Sequence, residues 1–343
     1  MPVTIVVGGQ FGSEGKGKVA YHLAREESAA AVVRVGGPNS GHTVVRSGVP
    51  SVLRQLPTAS FLPDVQCVIP AGGYVDLNVV LTELTETGLP PNQLLIDPSA
   101  MIVTQRDREA ERAQRLRERI GSTLSGTGAA VLRRIARQRK LGFAADEASL
   151  RSFVHPTAPI LRDHLERGRR VIIEGTQGFG LSILHGGYYP HCTSRDTTAA
   201  GFLSEAGLSP LDVDDVVLVV RSFPIRVAGL SGPLHNEITW DDVTSECGAT
   251  DPILEFTSVT RMVRRVARFD PNLVLRAVRA NQPTRIVLNH LDYIDYRVRE
   301  HGTLTDRALR FVDSVEAQLG RGIDLLGTSP ESLIPRKPSF QIG

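Results

Sequence analysis

Residues 3–25 constrain the fold of this chain more than any other stretch. An apolar run, Val3-Thr4-Ile5-Val6-Val7, enters the turn Gly8-Gly9-Gln10-Phe11-Gly12-Ser13-Glu14-Gly15-Lys16-Gly17-Lys18 and leaves it as a helix-forming segment, Val19 to Arg25. A strand that passes through glycines into a helix N-terminus makes an anion seat. The glycines let the backbone turn tightly, its N–H groups converge, and the first helical turn carries positive partial charge. Lys16 and Lys18 add formal charge, so the segment Gly12, Glu14, Gly15, Lys16, Gly17, Lys18 is expected to hold a triphosphate. Its spacing is not that of the common P-loop, which places four residues between the first glycine and Gly-Lys and follows them with Ser or Thr. Here five residues separate Gly9 from Gly15-Lys16, and Gly17 follows.

Beyond this turn, strand-like and helix-like runs alternate. Residues 30–35, 65–69, 171–174, 216–221, 285–288 and 323–326 read as buried strands, and 75–87, 106–120, 150–167, 196–206, 273–280 and 304–319 as helices. The alternation predicts an α/β fold with a central, mostly parallel sheet flanked by helices, P-loop-NTPase-like, with loop excursions. No repeat and no Pro/Gly/Ser linker divides residues 1–343, so a single domain is expected.

Lys+Arg 39 against Asp+Glu 37 leaves a net charge of +2, which argues against a dedicated nucleic-acid binder. The local basic clusters, 106–119, 133–140 and 261–268, read as solvated helix faces. Cys67, Cys192 and Cys247 form neither a metal-like spacing nor a disulfide framework and suit a reducing compartment. No apolar stretch approaches the roughly 20 residues of a membrane span. A cytoplasmic protein is expected, with neither nucleic acid nor membrane as partner.

In open α/β sheets, ligands sit at the carboxyl ends of the strands. At least five of the strand-like runs end in polar or glycine-rich loops, among them Gly36-Gly37-Pro38-Asn39-Ser40-Gly41-His42-Thr43 and Gly175-Thr176-Gln177-Gly178-Phe179-Gly180. That points to a wide site with more than one substrate. His42 fits an acid or base exposed on a tight loop. Ser122, Thr123, Gln177 and Thr193 are neutral donors suited to a phosphate or a nucleobase edge.

Four segments strongly resemble adenylosuccinate synthetases: residues 6–18, Gly-Pro-Asn-Ser-Gly-His-Thr-Val-Val at 37–45, Glu-Gly-Thr-Gln-Gly-Phe-Gly at 174–180 and Cys-Thr-Ser-Arg-Asp-Thr-Thr-Ala at 192–199. Ser-Phe-Pro-Ile-Arg-Val-Ala-Gly at 222–229 looks like the family's segment before its amino-acid site. The resemblance covers nearly the whole chain. It implies a C–N ligase in which a nucleoside triphosphate, usually GTP, phosphorylates the 6-oxo group of a purine monophosphate and L-aspartate then displaces phosphate. By the same resemblance Lys16 stands at the transferring phosphate. His42 is an acid for the 6-oxygen, and Gly41, with Ser13, ligates Mg2+. Thr43 and Gly327 touch the triphosphate, and His290 and Asp292 read its base. Ser13, Asn39, Ser122, Thr123, Gln177 and Thr193 hold the monophosphate, joined by Arg137 from the other subunit of a homodimer. Val259, Thr260 and Arg264 receive aspartate.

Three departures from the family pattern bear on the substrate. Ser13 stands where the family has an aspartate that takes the N1 proton and ligates magnesium. Met262 replaces an arginine that touches the nucleotide sugar and aspartate. His290 replaces a lysine beside the base-reading Asp292. Ser13 with Met262 resembles the phage branch, which accepts dGMP and makes N6-succino-2-amino-2'-deoxyadenylate for 2-aminoadenine DNA. The expected partners are therefore dGMP, L-aspartate and ATP or dATP, with Mg2+ as cofactor. An IMP- and GTP-dependent synthetase and an inactive nucleotide-binding module are the alternatives.

Overall fold

A computed structural model describes residues 2–137, 142–257 and 261–336; Val259, Thr260 and Lys140 lie outside them. Nine strands form one sheet: β1 (Val3–Gly8), β2 (Ala31–Arg34), β3 (Gln66–Ile69), β4 (Leu94–Ile96), β5 (Val171–Glu174), β6 (Val213–Arg221), β7 (Arg285–Asn289), β8 (Leu325–Gly327) and β9 (Leu333–Pro335). Their order is β9-β8-β7-β6-β1-β5-β2-β3-β4, parallel throughout except for the β8–β9 pair.

Every residue of β1 is buried, as a strand covered on both faces requires. The period-two alternation divides its side chains between two cores. Val3, Ile5 and Val7 pack in a cluster with Leu161, Leu165, Phe202, Leu273 and Val312, from the helices Thr157–Glu166, Ala199–Ala206, Pro271–Asn281 and Asp306–Leu319. Val6 faces the other way, against Val19, Ala20, Leu23 and Ala24 of α1 (Lys16–Glu26). Each such fully buried aliphatic side chain contributes on the order of 1.5–3 kcal/mol. The architecture is the expected α/β sheet flanked by helices.

Several local expectations change. The charged run 106–120 is two helices, Gln105–Ala113 and Leu116–Ile120, because Arg115 adopts φ 52° between them. The helix of 150–167, its start expected to be delayed by Pro156 and Pro159, begins at Thr157. The last strand expected, 323–326, is Leu325–Gly327, and the antiparallel β9 follows it. The hairpin His42–Arg46/Val49–Leu53 and the helix Trp240–Cys247 were not expected. The basic clusters are not simply solvated faces: Arg133 is paired with Asp107 at 2.8 Å, Arg108 with Asp76, and Arg265 with Glu237 at 2.7 Å. No helix among the described residues is long and apolar enough to cross a membrane.

Because β1, β2, β5, β6 and β7 are parallel, the loops that leave them lie along one edge of the sheet. The third hydroxyl-rich loop, 121–128, arrives instead from the helical excursion and joins the same cleft.

Candidate active site

The loop after β1 is organised around its own acidic residue. Glu14 Oε1 accepts from Gln10 N (3.1 Å) and Gly12 N (2.8 Å), and Oε2 pairs with Lys16 Nζ at 2.7 Å. Both side chains are buried, and Lys16 also donates to the Gln177 carbonyl. The Glu14 carboxylate is therefore spent inside the loop; it braces the loop, and a place for Glu14 among the triphosphate ligands falls to its backbone amide. Gly17 explains the departure from the common motif. A Cβ there would stand 2.7 Å from His42 Cβ and 2.8 Å from Thr58 Cγ2, so the loop after β2 could not pack against α1. Asn289, at the end of β7, donates to the Glu14 carbonyl at 2.7 Å and ties the loop to the far side of the sheet.

His42 is buried, not exposed on its loop. Arg34 Nη1 lies 3.2 Å from Nε2, and a guanidinium only donates, so Nε2 is the acceptor and Nδ1 carries the proton. Nδ1–H then donates to Glu174 Oε1 at 2.5 Å, while Glu174 Oε2 accepts from Thr58 N (2.9 Å) and Thr58 Oγ1 (3.0 Å). Burial, reinforced by the nearby Arg34 charge, pushes the His42 pKa down to about 3, whereas Glu174 is held below the usual carboxylate range: burial opposes its charge, and His42 and Arg34 outweigh that. The pair is a neutral imidazole against an ionised carboxylate. In this arrangement His42 has no proton to give as an acid, because its one N–H is committed to Glu174.

Between these loops lies a cleft of about 460 Å³. Gly12, Ser13, Lys16, Asn39, Gly41, His42, Ser122, Thr123, Gln177, Thr193 and Arg264, drawn from loops far apart in sequence, all line it. Its side wall is built by Arg226, whose guanidinium lies 4.4 Å from the centre of the Phe11 ring and 5.4 Å from that of Tyr188.

Other predicted residues lie elsewhere. Lys18 Nζ turns toward the loop after β8, to the carbonyls of Ser329 (3.0 Å) and Ser332 (3.3 Å). Burial lowers its pKa to about 8 against the pull of Asp292, and burial raises Asp292 to about 6 against Lys18. Lys18, Asp292, His290 and Gly327 thus gather at the ends of β7 and β8, beside the cleft rather than in its lining. Thr43 is exposed on the hairpin. Arg137 is exposed past the end of the helix Thr127–Ile135, and it does not line the cleft of its own chain. Met262 is exposed as well.

Sequence reasoning missed Arg221 and Glu255. Arg221, at the end of β6, is fully buried. Its Nη1 donates to Glu255 Oε2 at 3.1 Å and to the Ser13 carbonyl at 3.0 Å, and its Nη2 donates to Glu255 Oε1. Arg264 Nη1 donates to Ser13 Oγ, and lies 3.5 Å from Glu255 Oε2. Burial opposes the Glu255 charge, but the two guanidiniums outweigh it and hold the carboxyl at about 2. Arg264 Nε is buried with no hydrogen-bond partner among the described residues. The only signal for this cluster was an arginine closing the most strand-like run.

The donor set offers little to a metal. Among the described residues no group of three His, Cys, Asp or Glu could hold an ion. Mg2+ is commonly held by substrate phosphates with one or two protein oxygens, and Gly41 fits that minimal role. Ser13 does not, since the Arg264 guanidinium beside its hydroxyl oxygen would repel a second cation.

A sequence model of the adenylosuccinate synthetase family matches residues 5–143 and 141–298. The adenylosuccinate synthetase of Methanocaldococcus jannaschii is 35% identical over 335 residues, 96% of this chain and 94% of the relative. That of Thermococcus onnurineus is 36% identical over 338 residues, 96% and 97%. Among solved structures, the succinoaminodeoxyadenylate synthetase of cyanophage S-2L, bound to dGMP and to dATP as an energy donor, superimposes with a TM-score of 0.82 at 27% identity, covering 97% of this chain and 95% of that one. The fully ligated adenylosuccinate synthetase of Plasmodium falciparum shares the fold, with a TM-score of 0.86 at 20% identity over 98% of this chain and 100% of that one.

Proposed function

Because this chain belongs to the adenylosuccinate synthetase family and is a C–N ligase, we propose that it condenses L-aspartate with the 6-position of dGMP. The product is N6-succino-2-amino-2'-deoxyadenylate, a precursor of 2-aminoadenine DNA, and ATP or dATP is the phosphoryl donor. The observation that carries this reading is Ser13. It is exposed in the cleft, its side chain is short, and its oxygen, held on one side by Arg264, keeps a lone pair for the 2-amino N–H of guanine. The likeness to a cyanophage enzyme bound to dGMP and dATP supports both the purine and the donor.

Chemically, the 6-oxo group is a poor leaving group until it carries phosphate. The loop amides and the N-terminus of α1 concentrate positive partial charge where the terminal phosphate transfers, with the Lys16–Glu14 pair beside it. Mg2+, brought by the phosphates and met by the Gly41 carbonyl, would neutralise further charge there. Ser122, Thr123, Gln177 and Thr193 surround the monophosphate, and Arg137 reaches it from a second copy of the chain in a homodimer. Arg264, which lines the cleft, then receives the aspartate carboxylate. The protein would work on soluble nucleotides in the cytoplasm.

The archaeal relatives, adenylosuccinate synthetases at 35% and 36% identity, favour a second reading, with IMP as the purine and GTP as the donor. Incubation of the protein with aspartate, Mg2+ and ATP, dATP or GTP, together with dGMP or IMP, separates the two by product mass. Turnover of dGMP is expected; turnover of IMP without dGMP refutes the first reading.

A further inference from the structure

Arg264 is the point on which three loops converge. It reaches Ser13 in the loop after β1 and Glu255 in its own loop, while Glu255 is gripped by Arg221 from β6. The other charged group near Arg264 is Glu14, already committed to Lys16. Two guanidiniums against one carboxylate leave net positive charge beside Ser13. A hydroxyl that accepts from a guanidinium is a stronger donor, and the proton of Ser13 is free to point into the cleft.

We propose that Arg264 acts in the first half of the reaction, before aspartate is used: held against Ser13 by Glu255, it supplies the charge that stabilises the purine while its 6-oxygen takes the phosphoryl group, in place of the carboxylate the family carries at position 13. Arg221 and Glu255 touch no substrate and are positioning residues. The inference rests on a 6-oxopurine monophosphate being the substrate, and it holds for dGMP and IMP alike, since both carry N1–H and the 6-oxo group. In the step, the N1–H bond breaks and its proton passes to water. The electron pair delocalises onto the 6-oxygen, which bonds to the terminal phosphorus. The bond from that phosphorus to the bridging oxygen breaks, and its electron pair leaves with the nucleoside diphosphate. The density gathered at N1 and the 6-oxygen meets the Ser13 hydroxyl proton, polarised by Arg264.

The test isolates this half-reaction. With purine monophosphate, Mg2+ and labelled triphosphate but no aspartate, exchange of oxygen between the bridging and non-bridging positions of the β-phosphate reports reversible phosphoryl transfer. Glu255→Gln should slow this exchange about tenfold, the size of one lost charge-assisted hydrogen bond. In a Ser13→Ala background the same substitution should cost less than about twofold, because its route to the purine is gone. Equal losses in both backgrounds, or a loss that appears only in aspartate-dependent turnover, overturn the inference. Where Glu255→Gln melts below the assay temperature, the cycle is run with Glu255→Asp, which keeps the charge but withdraws it, under the same criterion. Exchange with IMP but not dGMP removes the dGMP reading and leaves this inference to the variants. Absence of exchange with either purine overturns both.

Discussion

His42 donates its only N–H to Glu174 at 2.5 Å, and the two sit on neighbouring strands' loops, one after β2 and one at the end of β5. Glu174 thus fixes the tautomer of His42, which lines the cleft, and leaves Nε2 as its acceptor. Glu174→Gln removes that choice, since an amide can donate to Nδ1 as readily as accept from it. A fall of about 100-fold in kcat is expected, with the KM for aspartate little changed, as measured by steady-state kinetics.

The same pair makes stability depend on pH. The folded pKa of His42, about 3, lies below its unfolded value of roughly 6.5, so the unfolded chain binds this proton more readily. The contribution is fully present above the unfolded value and is lost as pH falls through the window down to about 3. Melting temperatures recorded across that window should fall for the wild type and fall less steeply for His42→Gln. Parallel curves would contradict it.

Lys16 has two duties that a double substitution separates. Lys16→Met leaves the Glu14 carboxylate buried without its partner, and should lower stability by roughly 3–5 kcal/mol as well as abolish turnover. Glu14→Gln added to Lys16→Met should recover most of the stability in denaturant unfolding and none of the activity.

Ser13→Asp tests the choice of purine. The longer carboxylate would ion-pair with Arg264 and fill the space beside purine position 2. The ratio of kcat/KM for dGMP to that for IMP should fall at least about tenfold, equivalent to ~1.4 kcal/mol. An unchanged ratio would place selectivity elsewhere.

Arg137 is exposed and absent from its own cleft, as a residue serving a second copy must be. Light scattering should give the mass of a homodimer. Arg137→Ala and Lys16→Met, each nearly inactive, should recover about a quarter of wild-type activity per site when mixed, since only mixed dimers carry one intact site.

The sheet and the loop cluster were legible because parallel strands buried on both faces read as short apolar runs, and because glycine-rich turns mark their carboxyl ends. Eleven of the predicted site residues met in one cleft, most of them for that reason, while Ser122 and Thr123 arrive from the helical excursion. What was not legible depends mostly on partners distant in sequence. That Lys18 turns toward Ser329 and that Arg221 is an internal ion-pair partner are set by residues 311 and 34 positions away, while the inward turn of Glu14 is set by the backbone path of its own loop, which composition does not show. The hairpin 42–53 escaped because its strands are short, mostly exposed or half-buried and include polar residues, so no continuous apolar run announces them.

The strand order also governs when the protein can come into being on the ribosome. β1 lies between β5 and β6, so its two edges stay unpaired until residues 171–174 and 213–221 have emerged. The phosphate loop is the first part synthesised, yet it acquires its Asn289 tether only near the end of translation. Nascent chains shorter than about two-thirds of full length therefore carry the nucleotide signature without a platform to display it. They expose two apolar strand edges to chaperones for most of synthesis, a cost of building the sheet from pairings so distant in sequence.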